Sequence, residues 1–315
     1  MKRIISQIIL ILGFPFTFLS AFWLKIVKKA GTGRFGDKIF MMLGILPILD
    51  DFYQPLINPA RHLKKGFIEN REITCIDFNI NEQLKILQGF DYNAELIKIP
   101  IKEAKEFGYF YDNDSYCSGD GEYLYNMIRY YKPKTIIEIG SGFSTLMACN
   151  AIKQNKSEDP SYSCDQTCIE PYRHGWLDNI GINIVRKKVE DVDKMMVKKL
   201  QANDILFIDS SHIIRPQGDV LFEYFSLLPE LNPGVFVHIH DIFTPRDYPE
   251  EWIYDHCLWN EQYLVEALLM YNKDFRITGA LNYLAHNYRK ELGEKCPVFA
   301  IQRDREPGAL WLVKA

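Results

Sequence analysis

The 315-residue sequence lacks the cysteine patterns of zinc-binding and disulfide-rich proteins. Its seven cysteines include no Cys-x-x-Cys pair, and their odd number prevents a complete set of disulfides. Cys164 and Cys168 lie close in sequence, but no histidine pair follows them at zinc-finger spacing. We therefore expect reduced, mostly buried thiols and a reducing compartment.

Excess positive charge is missing from most of the chain. Residues 1–38 hold seven Lys or Arg and one acid, a charge of +6, whereas the other 30 basic and 40 acidic residues leave about −10. An acidic body disfavours contact with a phosphate backbone, so we expect no nucleic-acid partner. The basic end adjoins a hydrophobic run, which indicates a membrane surface as a partner.

Charged side chains are absent from Ile4 to Leu24, a run of 21 residues. As a straight helix, this run would extend roughly 32 Å, enough to cross a hydrocarbon core of about 30 Å. Lys25 follows the run directly, and no clear small-residue cleavage site appears, which disfavours a cleaved signal peptide. Because Pro15 lies mid-run, a transmembrane helix and a bent, re-entrant anchor both stay open. Residues 1–30 are therefore predicted to be a hydrophobic membrane anchor.

Short apolar runs alternate with helical patterns from residue 116 to the end of the chain. Continuous apolar runs are typical of strands covered on both faces, and intervening helices predict a parallel sheet with right-handed crossovers. Strands are predicted at 134–139, 166–170, 182–187, 204–209, 234–240, 275–278 and 310–313. Helices are predicted at 120–131, 144–154, 173–180, 191–200, 217–229 and 259–271. Residues 31–115 give weaker signals, with a helix at 82–98, and are predicted to be an accessory helical region.

The most informative stretch is residues 135–145, Thr-Ile-Ile-Glu-Ile-Gly-Ser-Gly-Phe-Ser-Thr. Here a predicted strand runs into Gly140-x-Gly142, and glycines at such a corner let the backbone approach a ligand at a helix start. The third glycine of the dinucleotide fingerprint is replaced by Ser144, and Glu138 would disfavour a pyrophosphate. The residues leave open a cationic ligand, a nicotinamide or flavin nucleotide, and a purely structural turn.

The pattern Glu-x-Gly-x-Gly-x-x-Thr at 138–145 resembles the first motif of class I S-adenosylmethionine-dependent methyltransferases, in their O-methyltransferase-like branch. The resemblance covers residues 116–315. It implies an α/β fold with a doubly wound, mostly parallel seven-stranded Rossmann-like sheet that ends in an antiparallel pair. It also implies S-adenosyl-L-methionine as the cofactor. The residues that it assigns to cofactor binding are Glu138, Gly140, Ser141, Gly142, Glu170 at the ribose, Glu190 at the adenine, and Asp209.

Two aspartate–histidine motifs end the fourth and fifth predicted strands: Asp209-Ser-Ser-His212 and His240-Asp241. In metal-dependent O-methyltransferases these strand ends supply the metal ligands, so the resemblance implies a metal site at Asp209, His240 and Asp241. Imidazole suits zinc, iron or manganese better than magnesium, and the residues leave open whether a divalent ion is bound. His212 stands where the catechol enzyme has its general-base lysine, which implies His212 as the base with Asp209 beside it as a catalytic residue.

These features together predict a membrane-associated methyltransferase whose catalytic domain faces the cytoplasm, where the methyl donor is found. The predicted reaction is O-methylation of a hydroxyl-bearing acceptor, either a small molecule or a glycan or lipid-linked group. Two other classes stay open: a metal-dependent oxygenase or hydrolase that uses the Asp/His cluster, and a non-catalytic membrane-tethered scaffold.

Overall fold

The structure, a computed structural model, describes residues 2–315 except positions 46, 52, 55, 57 and 106, with the backbone alone for residues 2–6. The parts of the predicted anchor and accessory region at these positions lie outside the described residues. The chain divides into two compact units, residues 1–65 and 66–315. The residue ranges predicted above for the anchor, accessory region and catalytic domain stay predictions.

The first unit contains helices α1 (Lys2–Ala30), α2 (Gly33–Leu43) and α3 (Pro59–His62). Helix α1 continues through Pro15. From Gln7 to Ala30 it reaches a mean hydropathy of 1.9 with none of its apolar window buried, so it is long and apolar enough to cross a membrane. Such a helix is compatible with the predicted anchor, and also with a signal segment.

The second unit is built on a seven-stranded sheet in the order β3-β2-β1-β4-β5-β7-β6. Strands β1 to β5 are parallel, and β7 pairs antiparallel with both β5 and β6. The strands are β1 (Thr135–Ile139), β2 (Asp165–Ile169), β3 (Asn183–Val185), β4 (Ile205–Ile208), β5 (Phe236–Ile239), β6 (Phe275–Ala280) and β7 (Leu310–Lys314). This order confirms the predicted doubly wound, mostly parallel sheet with its terminal antiparallel pair.

Helices surround this sheet. They are α4 (Ile80–Gly89), α5 (Asn93–Leu96), α6 (Asp120–Tyr131), α7 (Phe143–Glu158), α8 (Met195–Lys198), α9 (Asp219–Phe222), α10 (Glu250–Tyr254), α11 (Glu261–Leu269), α12 (Leu281–Asn287), α13 (Arg289–Lys295) and α14 (Pro297–Ile301). The segment after α9 continues as a π-helical turn to Leu227 and a 3₁₀ turn to Glu230.

Three helix predictions were wrong in part. The helix expected at 173–180 is a single 3₁₀ turn, Leu177–Asn179, because Gly175 and a mixed polar segment give it no apolar stripe to bury. The helix expected at 191–200 shrinks to α8, and the one at 82–98 divides into α4 and α5. Helices α12 to α14 were missed, since each is too short to show a clear period.

Alternate residues of the central strands face two separate apolar layers. Ile136 and Phe207 pack into the layer that holds α6 and α7, whereas Ile137 and Leu206 pack into the opposite layer. Residues of α4, including Ile86, join the first layer. With both faces covered, the carboxyl edge of the sheet is the place where ligands can enter, near the switch point between β1 and β4.

Candidate functional site

The glycine loop between β1 and α7 contains two glycines, Gly140 and Gly142, whose surroundings differ. Gly140 has φ +95°, and a Cβ there would lie 2.4 Å from the carbonyl oxygen of Asp209, so only glycine fits. A Cβ at Gly142 would meet no protein atom within 4 Å. The first glycine is therefore required by the fold, and the second leaves space above the loop for a ligand.

Glu138 lies behind this loop and does not line the cavities beside it. Its carboxylate accepts hydrogen bonds from Ser144 Oγ at 2.6 Å and Cys168 Sγ at 3.2 Å. Burial raises the pKa of Glu138 to about 7, although these donors oppose the shift. The structure thus gives Glu138 a supporting position under the loop.

Two cavities flank the loop, and Asp209 lines both. The one of about 320 Å³ lies beside Ser141 and Gly142, below the buried Tyr116 and the ring of Trp176. The other, of about 370 Å³, lies beside Gly140 and is lined by Glu170 and Glu190. The predicted cofactor residues other than Glu138 are therefore brought together around one loop.

Glu170 directly follows β2, and each of its carboxylate oxygens accepts a hydrogen bond from a neighbouring residue. Ser141 Oγ donates to Oε2 at 2.9 Å, and the backbone N–H of Tyr172 donates to Oε1 at 2.8 Å. Each oxygen keeps a second lone pair for another donor. Because Glu170 lines the larger of the two cavities, it can accept hydrogen bonds from a pair of ligand hydroxyls.

His212 is buried between three carboxylates from three parts of the chain. Its Nδ1 lies 2.8 Å from Glu261 Oε2, and its Nε2 lies 3.2 Å from Asp209 Oδ1 and 3.5 Å from Asp241 Oδ2. Burial alone would lower its pKa, but hydrogen bonds to Asp209 and Glu261 raise the pKa of His212 to about 10. In this arrangement the imidazole is a cation at neutral pH, which is not the form that accepts a proton.

His240 lies on the opposite side of the same carboxylates. Its Nδ1 is 3.4 Å from Asp241 Oδ2 and 3.7 Å from Asp209 Oδ1. Burial favours the neutral ring, yet these two charges raise the pKa of His240 well above its usual value. One ligand atom each from Asp209, His240 and Asp241 lies within 4.8 Å of the others, so the three predicted metal ligands do converge.

Two residues of this cluster have left-handed backbone conformations. His212 has φ 58° and Asp241 has φ 57°. Residues other than glycine rarely adopt this region, and the strain costs on the order of 1–3 kcal/mol each. Such strain at the ends of β4 and β5 is typical of residues that the surrounding structure holds in place for a function.

Sequence reasoning did not identify Glu261 or Asp120 as neighbours of the histidines. Glu261, fully buried at the start of α11, accepts from His212 and also from the Tyr224 hydroxyl at 2.9 Å. Asp120, at the start of α6, accepts backbone N–H groups of Gly308 and Ala309 and lies 4.0 Å from His240 Nε2. Both acids sit at helix starts, and no pattern in the sequence indicates that they meet the histidines.

A third cavity, of about 1000 Å³, opens on the other side of His240 and Asp241. Its walls come from the start of α6, the segment around α10 and the loop before β7. Trp252 and Phe243 form an edge-to-face aromatic pair in the wall, with ring centroids 5.3 Å apart. The cluster of Asp209, His240 and Asp241 therefore lies between the two small cavities at the glycine loop and this larger one.

Known proteins show several similarities to this chain. An O-methyltransferase from Bacillus cereus, solved with SAH, matches with a TM-score of 0.37 at 12% identity over 82% of this chain and 94% of its own. A putative O-methyltransferase from Klebsiella pneumoniae matches with a TM-score of 0.35 at 13% identity over 74% of this chain and 90% of its own. At these scores, the two structures add nothing to the assignment of a ligand.

The sequence similarities carry more weight. An uncharacterized protein from Archaeoglobus fulgidus is 30% identical over 168 residues, which cover 49% of this chain and 73% of the relative. The family described as "Methyltransferase domain" matches residues 137–242, a span that runs from the strand before the glycine loop past the His240-Asp241 motif. The strand order of the sheet agrees with the class I methyltransferase fold, and the family match shows that residues 137–242 belong to a methyltransferase domain.

Proposed function

We propose that this protein transfers the methyl group of S-adenosyl-L-methionine to a hydroxyl group of an acceptor bound in the large cavity. The observation that carries this proposal is the position of Asp209. It lines both cavities at the glycine loop and belongs to the cluster of Asp209, His240 and Asp241 beside the large cavity. A donor over the loop and an acceptor beyond the cluster would then meet at Asp209, which favours transfer by positioning.

The donor residues follow from the two small cavities. Glu170 accepts the ribose hydroxyls, Glu190 lines the adenine end, and Ser141 and Gly142 face the amino-acid end. Gly140 keeps the loop close to β4. Glu138 acts indirectly, through the hydrogen bond with Ser144 that fixes the start of α7.

Asp209, His240 and Asp241 also fit a divalent metal ion. Two carboxylates and one imidazole converge, and the His240 Nδ1 that faces Asp241 and Asp209 would coordinate an ion after loss of its proton. When bound, such an ion supplies positive charge that favours an ionised acceptor hydroxyl. The mixed donor set suits manganese, iron or zinc better than magnesium.

His212 is proposed to act as the base only when the neighbouring carboxylates bind a cation. Its raised pKa depends on Asp209 and Glu261. If a bound cation neutralises part of the charge of Asp209 and Asp241, the pKa of His212 falls toward the range in which an imidazole accepts a proton. The base and the metal are thus coupled proposals.

Titration calorimetry with S-adenosylhomocysteine tests the donor assignment. Glu170→Ala removes charge-assisted hydrogen bonds, so affinity should fall by roughly ten- to a hundredfold. Glu291→Ala removes an exposed acid of α13 that lines none of the three cavities, and it should bind like the wild type. Binding of a nicotinamide dinucleotide in place of S-adenosylhomocysteine would overturn the proposal, and metal-dependent activity without donor binding would favour an oxygenase or hydrolase.

We also propose that α1 anchors the protein to a membrane, with the catalytic unit on the cytoplasmic side. The support is the uncharged run of α1 and the lysines in its last turn. Full-length protein should sediment with membranes and require detergent, whereas a variant that begins at Gly33 should stay soluble. Full-length protein in the high-speed supernatant at low salt would exclude the anchor, and cleavage of the catalytic unit by protease added outside intact cells would exclude the cytoplasmic side.

A further inference from the structure

We infer that the acceptor in the large cavity is a polyhydroxylated molecule that carries protonated amines, with an amino sugar as the simplest example. This inference rests on the proposed function, because it identifies the class of molecule that the cavity beside His240 and Asp241 would take. It is argued from the charge, the walls and the unsatisfied groups of that cavity.

The charge of the cavity is predominantly negative, although the buried His240 also lines it. Eight acidic residues line it, whereas Arg305 is the one lining residue among the described Lys and Arg. Arg305 is itself neutralised by Asp112, whose Oδ1 lies 2.7 Å from the guanidinium. A field of one sign in a concave site attracts ligands of the opposite charge and repels phosphate, sulfate and carboxylate groups.

Five of these acids are free to contact a ligand. In the described part of the chain, no hydrogen bond or ion pair engages the exposed side chains of Asp114, Glu250, Glu251, Asp255 and Asp304. Carboxylates in such positions bind ammonium groups by ion pairs and hydroxyl groups by charge-assisted hydrogen bonds. An acceptor with both groups would use these carboxylates better than one with hydroxyls alone.

The buried end of the cavity holds an imidazole with one nitrogen that lacks a partner. The His240 side chain is only 6% exposed and lines the cavity. Its Nδ1 forms ion-pair contacts with Asp241 at 3.4 Å and Asp209 at 3.7 Å, whereas its Nε2 lies 4.0 Å from Asp120 Oδ2, too far for a hydrogen bond. A buried Nε2 without a hydrogen-bond partner among the described residues indicates that the partner comes from outside the protein, either as a metal ion or as an acceptor group beside it.

The walls and the size suit a saccharide. Trp252 and Phe243 present aromatic surface beside the free carboxylates, a combination that packs on the apolar face of a sugar ring and on ammonium groups. A volume of about 1000 Å³ lies at the upper end of small-molecule sites, so it admits more than one ring.

Binding of three trisaccharides to the full-length protein, saturated with S-adenosylhomocysteine, tests the inference. The cationic glucosamine trimer, the neutral N-acetylglucosamine trimer and the anionic galacturonic acid trimer are compared by calorimetry at low and at high salt. We expect the cationic trimer to bind most tightly, with an affinity that falls as salt rises, and the anionic one not to bind. Equal binding of the neutral trimer, preference for the anionic one, or no binding of the cationic one would each overturn the inference.

The double variant Glu250→Gln/Glu251→Gln should lower the affinity for the cationic trimer by about two- to twentyfold, because it removes two exposed ion pairs with the ligand. Glu291→Gln/Glu294→Gln changes the net charge equally on α13, outside the cavity, and should have no such effect. Unchanged S-adenosylhomocysteine affinity shows that each variant is folded. Normal S-adenosylhomocysteine binding with no preference for amines rejects this inference alone, whereas loss of S-adenosylhomocysteine binding in the wild type rejects the proposed function.

Discussion

Glu261 and His212 form a fully enclosed ion pair, with Glu261 Oε2 2.8 Å from His212 Nδ1. The pair fixes the orientation of the imidazole, because Nδ1–H is committed to Glu261 and Nε2 must face Asp209 and Asp241. The ring of Trp259, with its centroid 4.4 Å from that of the imidazole, further restricts its rotation. Glu261 is therefore a positioning residue that aims His212 at the cluster between the cavities.

The first prediction concerns the pH dependence of stability, measured by urea denaturation with chelator present. Since the pKa of His212 is raised from 6.5 to about 10, the folded protein holds this proton more tightly than the unfolded chain. The resulting stabilisation is complete below about pH 6.5 and is lost as the pH rises through about 10. In Glu261→Gln one of the three charges is gone, so the loss of stability should shift to lower pH.

Tyr224→Phe is the matched control for that experiment. It deletes one hydrogen bond to Glu261 Oε1 and should cost about 0.5–1.5 kcal/mol without moving the pH at which stability is lost. Identical pH profiles for the wild type and Glu261→Gln would show that Glu261 does not hold the His212 proton.

The second prediction concerns turnover. If His212 is the base, His212→Gln should lower turnover by about 10²–10⁴-fold. S-adenosylhomocysteine affinity should stay within error of the wild type, because His212 lines neither cavity at the glycine loop. Normal turnover with the true acceptor would remove the base role and leave Asp209 as the remaining candidate.

The fold could be predicted from the sequence because its signals are local. Short β-like runs that alternate with helical patterns indicated all seven strands, with continuous apolar runs at β4 and at the start of β5. The glycines after β1 indicated the loop at which a ligand can approach the backbone. Helix bounds were less predictable. Segments such as 173–180 contain residues that tolerate a helix, but only packing against the sheet decides whether they form one.

For the site, the sequence predicted the residues at individual strand ends but not their contacts with distant segments of the chain. Asp209, His240 and Asp241 converge because the carboxyl ends of adjacent parallel strands share one edge. Glu261 escaped notice because it meets His212 across 49 residues of chain, a contact that no spacing encodes. The charge state of His212 could not be predicted from the sequence either, because it depends on carboxylates supplied by three separate segments.

The third prediction concerns the metal. Asp209→Asn and Asp241→Asn each remove one charged ligand, so each should weaken binding of manganese or zinc by more than about tenfold. Chelation should abolish methyl transfer, and activity should return only when the metal is added back. Asp255→Asn removes a carboxylate on the rim of the large cavity that is not among the three ligands, and it should keep the wild-type metal content. Equal metal content in all three variants would exclude this cluster as the metal site.

The fourth prediction separates the two glycines of the loop between β1 and α7. Gly140→Ala would place a Cβ 2.4 Å from a backbone oxygen at φ +95°, so it should destabilise the protein by about 1–3 kcal/mol or more in urea denaturation. Gly142→Ala adds a methyl group that meets no protein atom within 4 Å, on a backbone with φ −178° that any residue adopts. Its stability should change by less than about 1 kcal/mol.

The added methyl group at position 142 would instead occupy space proposed for the donor. Titration calorimetry should therefore show weaker S-adenosylhomocysteine binding by Gly142→Ala, despite its normal stability. Gly140→Ala, in contrast, should lose stability and donor affinity together, since its loop must move away from Asp209. If Gly142→Ala binds S-adenosylhomocysteine as tightly as the wild type, the donor does not lie over this loop, and the open space above Gly142 needs another occupant.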